Sequence, residues 1–230
     1  DSQREKNHKH LGEANCKEGR IARIMAISKK TIERLSLYKR LVHDLIYQNR
    51  SSIFSHELAS LAHATPAQVR RDLMLAQIKG SSSKGYDLVE LKNGIDAVLL
   101  TGSIQKASLA GIGNLGRAIL SYFPHRSPSV EITAAFDSDP NKTGRIIHGC
   151  RTYHINDMKK VMQEQNITIG IITAPGDAAQ SIADTMVAAG VQGILTFAPV
   201  PIRVPGSVFT EHLDLTMSLE KLAYFSQQKS

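Results

Sequence analysis

Three glycines within six residues carry the clearest chemical signal in this chain. Gly111, Gly113 and Gly116 lie in the segment KASLAGIGNLGRAIL. In a GxGxxG pattern the first glycine permits a tight turn, the second lets a pyrophosphate approach the backbone, and the third allows close helix-to-strand packing. Phosphate would then lie at a helix N-terminus, where free N–H groups and the helix dipole favour an anion. The spacing predicts a dinucleotide-binding loop, although glycine turns also occur in purely structural loops.

A carboxylate follows at the distance that such a loop requires. The segment VEITAAFDSDP reads as a second strand ending in Asp137, 24 residues after Gly113. An acid here would accept hydrogen bonds from the adenosine ribose and would repel a 2′-phosphate. We therefore expect NAD(H), as NADH and NAD+, rather than NADP(H). In the alternative interpretation Asp137 and Asp139 are only turn residues before Pro140.

The elements around the glycines are typical of alternating strands and helices. KASLA fits a buried parallel strand, LGRAILSYF an amphipathic helix, and ITIGIITAPGDAAQSIADTMVAAGVQGILTFAP a strand, a helix and a strand. Ligands of open parallel sheets lie outside the carboxyl ends of the strands, so the loops that follow should face the cofactor; otherwise they are plain turns. The predicted cofactor-binding residues are Gly111, Ile112, Gly113, Asn114, Leu115, Gly116, Asp137, Thr173, Pro175, Phe197, Ala198, Pro199 and Tyr122.

The N-terminal part follows a helical pattern. Ser28 is expected to cap a long first helix and Ser55 a second, HELASLAH. Thr65 as cap, Pro66 at the first helical position and Gln68 three residues after the cap form a strong start signal for a third. Two short helices joined by a tight turn are typical of a helix-turn-helix, and GSSSKGYDLVEL would add a β-hairpin wing.

The third helix carries side chains that suit a DNA groove. Arginine can bind guanine or phosphate, and glutamine can pair with adenine. The predicted contacts with double-stranded DNA are Ser55, Gln68, Arg70, Arg71, Lys79 and Lys84. An ordinary helical hairpin with a solvated basic face remains the alternative.

Charge and hydropathy limit the class of protein. The net charge is +7, and its positive excess lies in the first half of the chain, as expected for a part that meets a polyanion or for a solvated basic tail. No apolar run approaches the roughly 20 residues that span a bilayer, and the first 25 residues are too polar for a signal peptide, so we expect a cytoplasmic protein without membrane contact. The two cysteines, Cys16 and Cys150, lack metal-ligand spacing, and no metal is expected.

Several motifs together resemble the Rex family of redox-sensing transcriptional repressors. They are ISKKTIERLSLYKRL, TPAQVRRDL, GNLGRAI, FDSDP, AAGVQGIL followed by FAP, and LDLTMSLEKL. The resemblance runs from about Ile27 to Phe225 and crosses a domain boundary.

This resemblance implies an α/β chain with an N-terminal winged helix-turn-helix, a Rossmann parallel-sheet domain and a C-terminal domain-swapped helix. The expected ranges are a disordered extension at 1–25, the winged helix at 26–97, the NAD(H)-binding domain at 98–208 and the swapped helix at 209–230. A homodimer would bind palindromic operator DNA and be released when NADH binds, with NAD+ competing. Arg40 and Asp214 of the partner subunit are the expected switch pair, with a solvated ion pair as the alternative.

The wing departs from the family pattern. Gly80, Gly85 and Tyr86 are present, but the usual basic pair is replaced by Ser81 and Ser82. The usual aromatic and glycine residues after the recognition helix are also replaced, by Leu75, Ala76 and Gln77. We expect weaker or altered operator recognition, with Lys79 and Lys84 as partial substitutes.

A regulator fits this chain better than an enzyme. After the winged helix only about 130 residues remain, enough for one Rossmann domain and a tail but not for a substrate domain. No recognisable proton donor is found, so no catalytic residue is predicted. The alternatives are a small NAD-dependent oxidoreductase with an appended helical domain, and a repressor whose loop holds a coenzyme A derivative.

Overall fold

The computed structural model describes residues 27–99, 104–123 and 129–227. The chain divides into two compact units, Asp1–Gly102 and Ser103–Ser230. The predicted extension at 1–25 lies outside the described residues, and the expected domain ranges stay predictions.

Three helices and a two-stranded sheet open the first unit. They are α1 (Lys29–Tyr47), β1 (Ser52–Ile53), α2 (Ser55–Leu61), α3 (Pro66–Leu75) and β2 (Tyr86–Asp87). Two predicted caps are confirmed, because the Ser28 hydroxyl accepts from the Thr31 N–H and the Thr65 hydroxyl from the Gln68 N–H, each at 3.2 Å. One apolar face of α1 is buried against the other helices and includes Leu35, Tyr38, Val42 and Leu45.

Two local predictions in this unit are wrong. Phe54 rather than Ser55 precedes the first turn of α2, and its N–H donates to the Glu57 carboxylate at 2.8 Å. The alternation in YDLVEL makes a strand only as far as Asp87, because α4 (Leu88–Leu99) begins there. The Asp87 carboxylate accepts from the N–H groups of Val89 and Glu90 at 2.9 and 3.0 Å and so stabilises the helix start.

The wing is a short turn held by backbone pairing. β1 and β2 pair antiparallel, and Ser81 and Gly85 exchange backbone hydrogen bonds at 2.7 and 2.8 Å. Gly85 has a φ of +73°, and a Cβ there would meet the Ile53 carbonyl oxygen at 2.5 Å. A Cβ at Gly80 would lie 2.5 Å from the Tyr86 ring. The two glycines thus permit the turn and the ring packing on it.

A seven-stranded sheet forms the second unit. Its strands are β3 (Gln105–Ala110), β4 (Val130–Asp137), β5 (Ile146–Ile147), β6 (Cys150–His154), β7 (Ile169–Ile172), β8 (Gly193–Thr196) and β9 (Phe209–His212). Their order is β5-β6-β4-β3-β7-β8-β9, parallel except for the edge strand β5. From β6 to β9 this is the strand order of a Rossmann fold, whose ligand crevice opens where the strand order reverses, between β3 and β7.

The helices α5 (Asn114–Tyr122), α6 (Met158–Glu164), α7 (Gly176–Ala188) and α8 (Leu215–Gln227) complete the second unit. Side chains from α6 and α7 pack with strand residues in a core that includes Phe136, Met162 and Met186. The predicted fold class, a helical N-terminal unit followed by a Rossmann-like parallel sheet, is confirmed, whereas the exchange of α8 between subunits stays a prediction. None of the described helices is both long and apolar enough to cross a membrane.

Candidate dinucleotide site and DNA-binding face

The glycine loop joins β3 to α5 at the crevice and depends on two close backbone approaches. Gly111 has a φ of +101°, and a Cβ there would lie 2.7 Å from the Ala174 nitrogen. A Cβ on Gly116 would overlap the Gly111 carbonyl oxygen. Nothing lies within 4 Å of the Cβ position of Gly113, the residue that precedes the first turn of α5. The first and third glycines therefore close the loop, and the second borders open space.

Asp137, at the end of β4, binds the loop directly. Its carboxylate accepts from the Ile112 N–H at 2.7 Å and from the Asp139 N–H at 2.9 Å, and the Lys142 ammonium lies 3.3 Å away. Burial raises the pKa of Asp137, but these donors outweigh it and hold the pKa below its usual range. Asp137 therefore stays ionised, and it serves both the glycine loop and the turn before Pro140.

Lys142 also lies beside the site, and the sequence patterns did not identify this residue. The lysine follows Asp137 by five residues, and a short 3₁₀ turn at Pro140–Lys142 brings it back to the carboxylate. The only sequence signal was the Asp-Pro-Asn-Lys turn itself. Its charge partly offsets that of Asp137 at the end of the site where the ribose was expected.

The loops after β7 and β8 come together beside the glycine loop. The Thr173 hydroxyl donates to the Gly111 carbonyl at 2.7 Å. The Phe197 N–H donates to the Ile172 carbonyl at 2.9 Å. A Cβ at Gly176, the first residue of α7, would lie 3.6 Å from Pro199. The predicted residues from three strand ends thus line one edge of the sheet.

The other predicted cofactor-binding residues differ in their positions. Asn114 and Leu115 are exposed in the first turn of α5, whereas Ile112 and Ala198 are buried. Tyr122 ends α5, eight residues and about 12 Å of helix from Asn114. Its ring packs against Phe123 and is 55% exposed, so within one chain it does not adjoin the glycine loop.

The predicted DNA-binding residues lie around the N-terminal part of α3 and the wing. Arg70 and Arg71 are exposed, and the Arg70 guanidinium donates to the Ser55 hydroxyl at 3.2 Å. Lys79 and Lys84 both border a hollow of about 740 Å³ beside the wing. Gln68 is half-buried and bonds to Asp72, a contact that sequence patterns did not indicate.

Asp72 is the centre of a buried network. The Arg34 guanidinium contacts both carboxylate oxygens, at 2.6 and 2.7 Å, and the Tyr38 hydroxyl donates at 3.0 Å. Burial raises the pKa of Asp72, but these donors together with Gln68 keep it below its usual range. Burial, together with the hydrogen bond to this carboxylate, raises the pKa of Tyr38 to about 12. The network joins α1 to α3.

The two expected switch residues lie in different units. Arg40 is exposed on α1. Asp214 precedes α8, and its carboxylate accepts from the Met217 N–H at 2.9 Å. Asp214 therefore stabilises the start of α8, and its pairing with Arg40 across subunits stays a prediction.

Comparison with known proteins decides the family. The family model described as CoA binding domain matches residues 103–200, and that described as putative DNA-binding protein N-terminus matches residues 26–73. The redox-sensing transcriptional repressor Rex of Lactobacillus gasseri is 37% identical over 199 residues, 86% of this chain and 93% of that protein. The Rex protein of Syntrophobacter fumaroxidans is 38% identical over 86% of this chain and 95% of its own length. The chain belongs to the Rex family.

Solved Rex-family structures agree with this assignment. RSP in complex with NAD+ and operator DNA matches with a TM-score of 0.82 and 30% identity over 88% of this chain and 94% of that one. RSP in complex with NADH matches with a TM-score of 0.77 and 30% identity over 88% and 95%. As a Rex protein the chain is a redox-sensing transcriptional repressor, a regulator rather than an enzyme, as predicted. In the described part of this Rex protein no group of three His, Cys, Asp or Glu side chains could hold a metal.

The glycine geometry predicts that two alanine substitutions in this Rex protein affect different properties, namely the stability of the fold for Gly116→Ala and the NADH affinity for Gly113→Ala. Gly116→Ala should lower the free energy of unfolding by about 1–3 kcal/mol, because its Cβ has no room beside Gly111. Gly113→Ala should melt like the wild type, since the site is open and its φ of −82° suits any residue. It should still lose at least about tenfold in NADH affinity, because the methyl group would occupy the place predicted for the pyrophosphate. Thermal melting and calorimetric NADH titration measure both effects, and unchanged NADH binding by Gly113→Ala would place the phosphates elsewhere.

Proposed function

We propose that this Rex protein binds palindromic operator DNA as a homodimer, is released when NADH binds, and acts in the cytoplasm with NAD+ as competitor. One observation carries the proposal: the chain joins a winged-helix unit with exposed arginines on α3 to a Rossmann crevice, and it matches RSP bound to both NAD+ and operator DNA over 88% of its length. We infer the same two ligands for this chain.

The cofactor would bind along the crevice. Its pyrophosphate would lie over Gly113 and the N-terminus of α5, where the open space and the free N–H groups are. Asp137 would face the adenosine ribose, and the loops at Thr173–Pro175 and Phe197–Pro199 would face the nicotinamide. Buried Ile112 would support the loop from beneath.

The operator would meet α3 and the wing. Recognition helices bind base edges with their N-terminal residues, and here these include Gln68, Arg70 and Arg71. Two such helices must lie about 34–36 Å apart to enter successive major grooves. Lys79 and Lys84 would contact phosphate, whereas the uncharged Ser81 and Ser82 make the wing a weaker site for the minor groove.

A second copy of the chain would cover α8. Six large apolar side chains of this helix are between 50 and 67% exposed, namely Leu215, Met217, Leu219, Leu222, Tyr224 and Phe225. Burial of each would contribute about 1.5–3 kcal/mol. Exchange of α8 between subunits gives this apolar surface a partner.

Redox state would be read through charge and shape. NAD+ carries a positive, planar nicotinamide, and NADH a neutral, puckered one. A site with different affinities for the two biases two dimer arrangements, and only one keeps the spacing that DNA requires. Coupling of about 1–3 kcal/mol is typical and would suffice. Tyr122 and Asp214 are proposed to sense the ring, with Arg40 linking it to α1.

The decisive experiment is a gel shift with a palindromic duplex that the full-length protein selects from a randomised library. Raising the ratio of NADH to NAD+ should weaken binding by roughly 5- to 150-fold. Coenzyme A and NADPH are the matched controls and should have no effect. Release by coenzyme A alone would support the coenzyme A alternative, and steady NADH turnover with a small carbonyl compound would support the oxidoreductase. Binding that is indifferent to both nucleotides would refute redox sensing.

Asp214→Asn should uncouple NADH binding from DNA release. Asparagine still accepts the Met217 N–H, so α8 keeps its start, but the negative charge is lost. We expect the NADH-dependent change in operator affinity to fall at least about fivefold, and Arg40→Gln to act alike, since about 1 kcal/mol of coupling is lost. The gel shift at fixed NADH measures it. Normal release by Asp214→Asn would clear this residue of the role.

Leu219→Glu combined with Leu222→Glu should separate the subunits. A carboxylate buried in an apolar contact without a partner costs several kcal/mol, whereas the same side chain on an exposed helix costs little. Light scattering should then report a monomer that no longer binds the palindrome. Glu220→Gln with Lys221→Gln on the same helix is the control and should stay dimeric. A dimeric double-glutamate variant would show that α8 does not form the interface.

A further inference from the structure

The network around Asp72 uses every acceptor site of a buried carboxylate. An ionised carboxylate offers about four lone-pair sites. Here Arg34 supplies two donors, Tyr38 the third and Gln68 the fourth, at 2.9 Å. Asp72 is 0% exposed, so water has no access to it. Gln68 is therefore a fixed member of the network.

This contact also fixes which way the Gln68 amide faces. Asp72 only accepts hydrogen bonds, so the amide nitrogen of Gln68 must point at it. The reversed amide would bring two oxygen atoms together in a buried place. One amide N–H and the carbonyl oxygen of Gln68 then remain free, and the half-buried side chain keeps a path to solvent.

The free pair matches one base edge. Adenine presents an acceptor, N7, beside a donor, the N6 amino group, in the major groove, whereas guanine presents two acceptors there. Gln68 is the third residue of α3, within the part of a recognition helix that meets base edges.

We propose that Asp72 is a positioning residue for operator recognition, which orients Gln68 so that this side chain selects adenine at one position of each half-site. The proposal rests on the proposed DNA binding. Asp72 acts through Gln68 and touches no base itself. The anchor on Arg34 and Tyr38 holds the carboxylate to α1, so Gln68 is oriented before DNA arrives.

The test is selection of duplex DNA from a randomised palindromic library by the full-length protein, read by sequencing. The wild type should prefer adenine at one half-site position by roughly 5- to 150-fold, the range of a bidentate base contact. Gln68→Ala should lose this preference and keep the others.

The decisive variant removes the network without leaving a buried charge. Arg34→Met, Tyr38→Phe and Asp72→Leu together replace the ion pair by apolar side chains, an exchange that proteins often tolerate. The adenine preference should fall to that of Gln68→Ala, with preferences at other positions within about twofold. Tyr38→Phe alone is the matched control, because it leaves Asp72 bonded to Arg34 and Gln68, and it should keep the preference.

Arg34→Met with Asp72→Leu provides a second measurement if the triple variant does not fold by circular dichroism. This double variant keeps Tyr38 but removes the acceptor that holds the Gln68 amide, so the preference should again fall. Retained adenine preference in either folded variant, or equal weakening at every position, would overturn the proposal. A wild type that selects no palindrome would refute the proposed DNA binding instead.

Discussion

The close approach of the β3–α5 loop to two neighbouring strand ends is the constraint on which the cofactor site depends. Ile112 is held through its N–H by Asp137 from β4, and Gly111 through its carbonyl by Thr173 from the β7 side. Both bonds require a backbone without side chains at Gly111 and Gly116, because a Cβ at either place would meet main-chain atoms. These contacts fix the loop through the chain's own atoms, so a nucleotide would lose little free energy in ordering it.

Sequence patterns predicted the elements whose signals are local. The caps at Ser28 and Thr65, the glycine spacing and the acid at the end of β4 each lie within one turn or one βαβ unit. The start of α4 was missed although Asp87 and Glu90 stand at the spacing of a capping signature. In YDLVEL the apolar alternation that begins at Tyr86 favoured a strand and outweighed this capping signal. At Ser55 the error was different, since a hydroxyl cap was expected where the Glu57 carboxylate instead binds the Phe54 backbone N–H.

The buried charge in the first unit lay beyond any local pattern. Asp72 meets Arg34 and Tyr38 only because α3 packs across α1, and 38 and 34 residues separate them in the chain. The helical pattern of α1 does not single out Arg34, and the sequence patterns placed Gln68 among the DNA contacts. The loss of hydration on burying Asp72 is offset mainly by the paired contact with the Arg34 guanidinium, so this charge favours packing of α3 against α1.

At the cofactor site, the residues that provide affinity need not be the ones that distinguish NADH from NAD+. In the proposed binding mode, the glycine loop and Asp137 would face parts of the dinucleotide that do not change on reduction, so their contacts would be equal for NAD+ and NADH. Contacts that are equal for NAD+ and NADH cannot make the protein respond differently to the two ligands. Discrimination would arise at the nicotinamide, beyond the carboxyl ends of β7 and β8. Asp214 follows that edge closely in sequence, because β9 pairs with β8 as far as His212 and the Leu213 N–H donates to the Thr196 carbonyl at 2.9 Å. Asp214 also precedes α8, a helix whose large apolar side chains are exposed within one chain. If α8 is exchanged between subunits as proposed, Asp214 would couple this edge of the sheet to the subunit contact, and redox sensing would be a property of the dimer.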